Sequence, residues 1–302
     1  MNKDLLRLRD LSREEIFDLM DLADQLKYDV GRGIPHRKLQ DKVLAMVFEK
    51  NSTRTRASFE TGMFQLGGHA IYLTADDTQM DREPVCDTAR ALSRYCHGIM
   101  YRTFSQRDLE EFARYATVPV INGMTNAAHP CQALSDLQTI REKFPLLEGL
   151  KLCFIGDGNN TCASLIVGGL KVGMRISLAC PEGYEPPKEV LDFAAGYPDR
   201  FTLTRDPGEA AEGAEVVYTD VWTSMGQEAE REARTRAFSG TYQVNDALLA
   251  RARPGAMVLH CLPARRGEEI TGEVFEAHAG EIFEQAENRL HMQKAILITL
   301  MG

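Results

Sequence analysis

The strongest constraint on the fold is a regular alternation between short apolar runs and longer amphipathic segments along most of the chain. The apolar runs are Val43–Phe48, His69–Thr74, Gly98–Arg102, Val118–Asn122, Leu152–Ile155, Ile176–Cys180, Phe201–Thr204, Val216–Thr219 and Met257–His260. Amphipathic segments such as Ser105–Tyr115 and Gln132–Lys143 lie between them. Strands that alternate with helices favour parallel sheets covered by helices on both faces. We therefore predict an α/β fold built on doubly wound parallel sheets.

The length of 302 residues favours two domains. The helix-like segment Gln132–Phe144, followed by Pro145 and Gly149, separates two comparable halves. At the start of the chain, Ser12–Tyr28 has helical periodicity, and Ser12 with Glu15 forms a capping-box pattern. Ligands of open α/β sheets bind beyond the carboxyl ends of the strands. Residues that directly follow the apolar runs are therefore the candidates for chemistry.

Composition excludes several classes of function. Thirty-five Lys and Arg against 44 Asp and Glu leave a net charge of -9, which argues against broad contact with nucleic acid or an anionic membrane. No stretch approaches the ~20 apolar residues of a membrane helix, and the densely charged N-terminus is unlike a signal or transit peptide. The seven Cys include no CxxC pair, which favours reduced thiols. We expect a cytoplasmic, metal-free protein.

A cluster of hydroxyl and arginine side chains follows the first apolar run. It reads Ser52-Thr53-Arg54-Thr55-Arg56 and precedes the helical segment Ala57–Gln65. A helix N-terminus offers unpaired N–H groups and partial positive charge, so the added arginines make a credible phosphate cradle. A capped helix with exposed arginines explains the same residues equally well.

Two further runs in the first half lead into polar residues. Arg102 ends the third run, and the fourth leads to His129-Pro130-Cys131-Gln132, where Pro130 suits the first turn of a helix. A lone His is more often structural, but His129 stands at a strand-to-helix switch beside an amide that can hydrogen-bond a carbonyl group. We reject a Cys/His protease, because Cys131 would point along the helix and no papain-like motif surrounds it.

In the second half, Gly156-Asp157-Gly158-Asn159-Asn160 begins like a dinucleotide fingerprint. Position 161 is Thr where the third Gly belongs, and no acidic residue closes the next apolar run, so a nicotinamide cofactor is disfavoured. Asp220 and Cys261 follow two later runs, and both side chains can bind a cationic amine. The thiol of Cys261 is equally compatible with a nucleophile or with an inert group.

Taken together, four motifs resemble the ornithine carbamoyltransferase family in order and spacing. They are Ser52–Arg56, His129–Gln132, Asp220-Val221-Trp222-Thr223-Ser224-Met225-Gly226 and His260-Cys261-Leu262-Pro263. The first two mark carbamoyltransferases in general, and the last two point to the ornithine branch rather than to aspartate. The similarity spans nearly the whole chain and includes Gly156–Asn160 and Gln285–Arg289.

The resemblance implies two doubly wound parallel-sheet domains, with N- and C-terminal helices packed on the first. Residues 1–135, completed by helix 286–302, would bind carbamoyl phosphate, and residues 136–285 would bind L-ornithine. The implied reaction gives citrulline and phosphate without a cofactor or metal, as in arginine biosynthesis. The family also implies a homotrimer, or a multiple of trimers, with active sites between subunits.

The resemblance further implies which residues bind each substrate. Carbamoyl phosphate would contact Ser52, Thr53, Arg54, Thr55, Gln79, Arg102, His129, Pro130, Cys131, Gln132, Cys261, Leu262 and Arg289. Ornithine would contact Asn160, Asp220, Ser224 and Met225. Arg54, Arg102, His129, Asp220 and Cys261 are the implied catalytic residues.

The loop Asp76–Glu83 departs from the family pattern. In this family the loop reaches into a neighbouring subunit's site, and Gln79 matches a ligand position. Met80 and Asp81 replace small or basic residues, and the loop reads DDTQMDRE rather than the glycine-rich form.

Three other functions share parts of these motifs. A carbamoyltransferase for putrescine or N-acetylornithine would keep the phosphate half and differ at Asn160 and at 220–226. A dehydrogenase would use the Gly156–Asn160 turn, and a non-catalytic amino-acid sensor would not need a cradle for a leaving group. The sequence leaves open whether the physiological direction is citrulline synthesis or arginine breakdown.

Overall fold

The computed structural model describes residues 3–78, 80, 82–224 and 226–302. The chain divides into two compact units, residues 1–138 with 287–302 and residues 139–286. A parallel sheet with helices before and after its strands forms each unit, so the predicted α/β class is confirmed. No helix in the described part of the chain combines the length and apolar character needed to cross a membrane.

The first unit contains a four-stranded sheet. Its strands are β1 (Val43–Phe48), β2 (His69–Thr74), β3 (Gly98–Arg102) and β4 (Val120–Met124). Its helices are α1 (Arg13–Gly31), α2 (Thr53–Gln65), α3 (Val85–Tyr95), α4 (Gln106–Tyr115) and the start of α5 (Pro130–Lys143). The strands are parallel in the order β2-β1-β3-β4.

The second unit contains a five-stranded sheet. Its strands are β5 (Lys151–Ile155), β6 (Arg175–Ala179), β7 (Phe201–Thr204), β8 (Val216–Thr219) and β9 (Met257–His260). Its helices are α6 (Asn160–Lys171), α7 (Lys188–Ala194), α8 (Pro207–Ala211), α9 (Arg231–Phe238), α10 (Asp246–Leu249) and α11 (Gly272–Ala277), followed by the start of α12 (Ala279–Met301). The strands are parallel in the order β7-β6-β5-β8-β9.

The two terminal helices pack together in the first unit, as expected. Helix α1 begins at the predicted capping box, in which Ser12 and Glu15 exchange side-chain and backbone hydrogen bonds. Near its end, Lys27 Nζ donates to Asn288 Oδ1 of α12 over 2.8 Å. This contact is long-range in sequence and closes the unit with residues from both ends of the chain.

Each sheet has one point where the chain reverses its direction of growth. In the first unit, β2 and β3 lie on opposite sides of β1, so the reversal falls between β1 and β3. In the second unit, β6 and β8 lie on opposite sides of β5, so it falls between β5 and β8. Crevices form beyond the carboxyl ends of such strand pairs because the following connections leave in opposite directions.

Several elements differ from the predicted bounds by a few residues, and the differences in α2 and β4 have a local physical reason. Helix α2 begins at Thr53 rather than Ala57, because Ser52 caps it and accepts a hydrogen bond from the Thr55 N–H. Strand β4 begins at Val120 rather than Val118, because Pro119 has no N–H to add to the ladder. The strand continues to Met124 through a register shift opposite Tyr101 and Arg102.

Candidate active site

The first unit brings the hydroxyl and arginine motif to its sheet-reversal point. Ser52, Thr53, Arg54 and Thr55 form the cap and first turn of α2 directly after β1, where the first backbone N–H groups of a helix have no partner within the helix. Arg102 ends the adjacent strand, paired with Phe48 in the register of β1 and β3. The cradle predicted from sequence therefore has both of its parts at one place in the sheet.

Hydrogen bonds hold the cradle in place. Ser52 Oγ donates to Thr55 Oγ1 over 3.1 Å, and Arg289 Nη2 donates to the same Thr55 oxygen over 2.9 Å. Arg102 is 4% exposed, and its Nε donates to the Lys50 carbonyl over 3.1 Å. The two arginines are thus oriented by protein acceptors and remain capable of further donation, since a guanidinium carries five N–H donors.

The second arginine of the motif faces elsewhere. Arg56 is exposed, and its Nε lies 3.0 Å from Glu60 Oε1. Its guanidinium carbon lies 3.8 Å from the centre of the Tyr72 ring. These contacts hold Arg56 on the flank of α2, whereas Arg54 is half-buried in the first turn. The alternative of a capped helix with exposed arginines thus describes Arg56 only.

His129 stands immediately before α5 and is 6% exposed. Burial, together with the positive charges of Arg289 and Arg102, lowers the pKa of His129 well below its ordinary value. A neutral imidazole beside two arginines is suited to donate a hydrogen bond to a carbonyl oxygen. It is not suited to carry a second proton.

Cys131 and Gln132 are buried in the first turn of α5. Cys131 Sγ donates to the Asn122 carbonyl over 3.4 Å, and burial raises the pKa of this thiol to about 12. A thiol with so high a pKa is a poor nucleophile, which supports rejection of the protease interpretation. Gln132 Nε2 donates to Asp136 Oδ1 over 2.8 Å.

In the second unit, Asp220 directly follows β8 at the sheet-reversal point. Asp220 is 7% exposed; its Oδ1 accepts from the Val221 N–H and its Oδ2 from Asn159 Nδ2, each over 2.8 Å. Asn159 also caps α6, because its Oδ1 accepts from the N–H groups of Thr161 and Cys162. Asn160, the residue singled out from sequence, is the first residue of α6, and its Oδ1 accepts from the Thr161 N–H.

The glycines of the 156–160 turn have a packing reason. A Cβ on Gly158 would lie 2.3 Å from the backbone nitrogen of Pro186, a distance at which the chain could not remain in place. Gly158 N–H donates to the Tyr184 carbonyl over 2.8 Å. Gly156 has a φ of +133°, which favours glycine. Close packing against the 184–186 segment accounts for Gly158, and the backbone conformation accounts for Gly156, without a bound pyrophosphate.

Cys261 and Leu262 follow β9, the strand next to β8. His260 Nδ1 accepts from the Leu262 N–H over 2.9 Å, and its Nε2 lies 3.0 Å from Glu269 Oε1. Leu262 has a φ of +60°, a left-handed conformation that is unfavourable for a branched side chain. The buried His260–Glu269 pair therefore holds the turn that places Cys261.

Asp220, His260 and Cys261 are also residue types that bind metal ions. Their potential ligand atoms lie within 4.8 Å of one another. His260, however, accepts through Nδ1 and so carries its proton on Nε2, facing Glu269. Neither ring nitrogen offers a lone pair to a metal ion, and we do not interpret the cluster as a metal centre.

The remaining predicted residues fall in loops. Ser224 is half-buried, and its N–H donates to Gln227 Oε1 over 3.0 Å. The Gly226 N–H donates to the carboxylate of Glu228. Met225 and Gln79, both proposed from sequence as ligands, lie outside the described residues.

The sequence motifs include Asn159 and His260 without assigning them a role, and they leave out Glu269 and Asp136, which also support these ligands. Asn159 had a detectable sequence pattern, since Asn before a helical segment is a preferred N-cap. Asp136 had another, because it follows Gln132 by four residues on one helix. Glu269 had none, because nothing in the sequence links it to His260.

Comparison with known proteins accords with these two half-sites. Residues 3–142 match the carbamoyl-P binding domain of aspartate/ornithine carbamoyltransferase, and residues 148–300 match its Asp/Orn binding domain. The chain belongs to the aspartate/ornithine carbamoyltransferase family. Within the family, it is similar to the ornithine carbamoyltransferases, as predicted from the motifs.

Two curated relatives and one solved structure illustrate the similarity. An ornithine carbamoyltransferase from Carboxydothermus hydrogenoformans is 52% identical over 99% of this chain and 98% of its own. An ornithine carbamoyltransferase from Pyrococcus furiosus, named anabolic, is 50% identical over 99% of this chain and 96% of its own. The structure of ornithine carbamoyltransferase from the same organism has a TM-score of 0.94, with 49% identity, over 99% of this chain and 97% of that chain.

Proposed function

We propose that this carbamoyltransferase transfers the carbamoyl group of carbamoyl phosphate to the δ-amine of L-ornithine, giving L-citrulline and phosphate. The observation that carries the proposal is the group at the start of α2. There, Arg289 donates a hydrogen bond to Thr55 and Arg102 ends the adjacent strand, while burial, together with the charges of both arginines, keeps His129 neutral. These residues suit a phosphorylated carbonyl compound.

The phosphate is assigned to Ser52, Thr53, Arg54, Thr55 and Arg102. A helix N-terminus supplies unpaired N–H groups and a partial positive charge, and charge-assisted hydrogen bonds from arginine are stronger than neutral ones. Phosphate is the leaving group, so the same donors stabilise the charge that builds on it during the reaction.

The carbamoyl group is assigned to His129, Gln132 and Arg289, with contributions from Pro130 and Cys131 at the start of α5. Attack by an amine makes a tetrahedral intermediate with a negative oxygen. Arg289 and the neutral imidazole of His129 are preorganised donors for that oxygen. Neither group needs to change its protonation to act.

Ornithine is assigned to Asn160, Asp220, Ser224 and Met225, and Cys261 and Leu262 are assigned to the place where the substrates meet. Asp220, held by Asn159 and by the Val221 N–H, is a fixed acceptor for a cationic amine. The δ-amine must lose its charge before it attacks, and Asp220 with Cys261 orients it for that loss. No covalent enzyme intermediate is required, so Cys261 acts as an orienting group.

The biological setting is proposed from the same relationship. We infer a cytoplasmic, anabolic enzyme of arginine biosynthesis, in keeping with the relative from Pyrococcus furiosus that is named anabolic. We also infer a homotrimer, or a multiple of trimers, in which Gln79 of one subunit serves the site of its neighbour.

The test is carbamoyl-phosphate-dependent product formation from ornithine, putrescine, lysine and N-acetylornithine. We expect citrulline from ornithine with a kcat/KM at least a hundredfold above that for each other amine. Preference for putrescine or N-acetylornithine would overturn the assignment of ornithine while keeping the carbamoyl phosphate half. Absence of product with every amine, together with undiminished binding of the amino acid, would indicate a sensor.

A further inference from the structure

We propose that Asp136 is a positioning residue that fixes the orientation of the Gln132 carboxamide. Through that orientation, Asp136 makes the site prefer an –NH2 group over a methyl group on the bound carbonyl compound. The inference rests on the proposed carbamoyl phosphate site and adds to it the residue that determines this selectivity.

The geometry begins with one hydrogen bond inside α5. Asp136 follows Gln132 by one helical turn, and side chains four residues apart lie on the same face. Gln132 is 1% exposed and Asp136 is fully buried. Gln132 Nε2 donates to Asp136 Oδ1 over 2.8 Å. Because a carboxylate has lone pairs and no N–H group, it accepts from the amide nitrogen and does not pair with the amide oxygen.

The orientation leaves the amide oxygen for another partner. Gln132 Oε1 is buried and accepts no hydrogen bond from any residue that the structure describes. A buried acceptor without a donor is costly, so a ligand that brings N–H groups to this oxygen gains affinity. The carbamoyl group ends in –NH2, which has two such donors. Acetyl analogues place a methyl group there and have none.

Replacement of Asp136 by asparagine should allow the Gln132 carboxamide to adopt either orientation while residues 132 and 136 stay hydrogen-bonded. An asparagine amide both donates and accepts, so Gln132 can bind it with either its nitrogen or its oxygen. In the second arrangement, Gln132 presents N–H groups toward the ligand, and these face the –NH2 of a carbamoyl group unfavourably. The preference for –NH2 over methyl should fall, although the volume of side chain 136 hardly changes.

The same helix contains a matched control. Gln138 Nε2 donates to Asp24 Oδ1 of α1 over 3.1 Å, and Gln138 Oε1 is likewise buried without a donor among the described residues. The pair thus repeats the chemistry of Gln132 and Asp136 away from the residues assigned to substrate. Asp24 is half-buried whereas Asp136 is fully buried, so Asp24→Asn controls for the loss of a carboxylate partner of a glutamine and should leave ligand selectivity unchanged.

The experiment measures the binding of three stable probes by calorimetry. Phosphonoacetamide carries a phosphonate and a terminal –NH2, 2-oxopropylphosphonate replaces that –NH2 with a methyl group, and inorganic phosphate tests the cradle alone. The wild-type protein should prefer the amide over the ketone. In Asp136→Asn, that preference should fall at least tenfold, about 1.4 kcal/mol, while the Kd of inorganic phosphate stays within about twofold. Asp24→Asn should retain both values.

Each alternative outcome has its own meaning. A wild-type protein without preference for the amide would contradict the proposed carbamoyl site itself. A wild-type preference that persists in Asp136→Asn, or that falls equally in Asp24→Asn, would overturn only the positioning role. Should Asp136→Asn not fold, the double variant Gln132→Met with Asp136→Leu replaces both partners with apolar groups. It should bind phosphate and lack the preference, and retention of the preference there would also refute the inference.

Discussion

Replacement of Asn159 by serine should separate the two roles of this side chain. Asn159 caps α6 through its oxygen and holds Asp220 through its nitrogen. Serine is as good an N-cap as asparagine, but its short hydroxyl does not extend to Asp220 while it caps the helix. Asn159→Ser should therefore keep the helix and release the carboxylate.

The expected magnitude follows from the contacts of Asp220. The carboxylate has two hydrogen bonds of 2.8 Å, to Asn159 Nδ2 and to the Val221 N–H, and it is 7% exposed. Loss of a hydrogen bond to a charged group costs roughly 1.5–3 kcal/mol. In wild type, this hydrogen bond holds Asp220 in position for the amine. Its loss in Asn159→Ser should therefore lower kcat/KM for ornithine by roughly one to two orders of magnitude.

The assay is steady-state citrulline formation with each substrate varied in turn, accompanied by thermal unfolding. The KM for carbamoyl phosphate should stay within about twofold of wild type, since its assigned ligands are untouched. Asn159→Ala is the companion variant: it should show the same kinetic defect plus the loss of about 1 kcal/mol of stability from the missing cap. A kcat/KM for ornithine within about threefold of wild type in Asn159→Ser would refute the reasoning.

Three further outcomes are expected. Arg54→Ala should fold normally and keep less than a tenth of wild-type kcat, a barrier increase above ~1.4 kcal/mol; a smaller loss would remove Arg54 from the centre of the site. If Gln79→Ala is also inactive, co-refolding it with Arg54→Ala in equal amounts should restore about a quarter of wild-type activity. A shared site is intact only when residue 54 comes from a Gln79→Ala chain and residue 79 from an Arg54→Ala chain, and each of these two independent choices has even odds. No recovery in confirmed hybrid oligomers would show that each chain completes its own site. Burial raises the pKa of Asp157 to about 6 despite its ion pair with Arg234. The protonated carboxyl group therefore stabilises the folded state, and this contribution is lost as pH rises from about 4 through about 6. Denaturant unfolding measures this, with Asp157→Asn as the reference protein. Relative to that variant, the unfolding free energy of wild type should fall by roughly 2–3 kcal/mol over that range. The same pH dependence in both proteins would contradict the raised pKa.

The strands were the most predictable part of the fold. Apolar runs such as Val43–Phe48 are buried along almost their whole length, and burial on both faces gives a continuous hydrophobic run. Strand β4 was less predictable, because its end depends on a register shift opposite Tyr101 and Arg102 rather than on its own residues. Helix α2 begins at Thr53, four residues before the predicted Ala57, because Ser52 caps it ahead of the apolar pattern.

The candidate site divides in the same way. Residues suited to contact substrate directly, such as Arg54 and Asp220, stand in recognisable motifs at strand ends. The residues that support the site come from distant segments: Asn159 donates to Asp220, and Arg289 donates to Thr55. Arg289 was found only through the family resemblance, since its 234-residue separation from Thr55 carries no local pattern.

The overall negative charge does not show that the two units carry local charges of opposite sign, positive in the first unit and negative in the second. The first unit gathers Arg102 and Arg289 around His129, whereas the second fixes the carboxylate of Asp220 at its sheet-reversal point. An anionic phosphate compound suits the former and a cationic amine the latter. Burial lowers the pKa of His129, the positive charges of Arg289 and Arg102 lower it further, and the imidazole therefore stays neutral. His129 can therefore polarise a carbonyl group as a hydrogen-bond donor, but it is not the acid that protonates the leaving phosphate. The proton released by the attacking amine must then pass to a group other than His129, and the departing phosphate oxygen is the base that the reaction itself supplies.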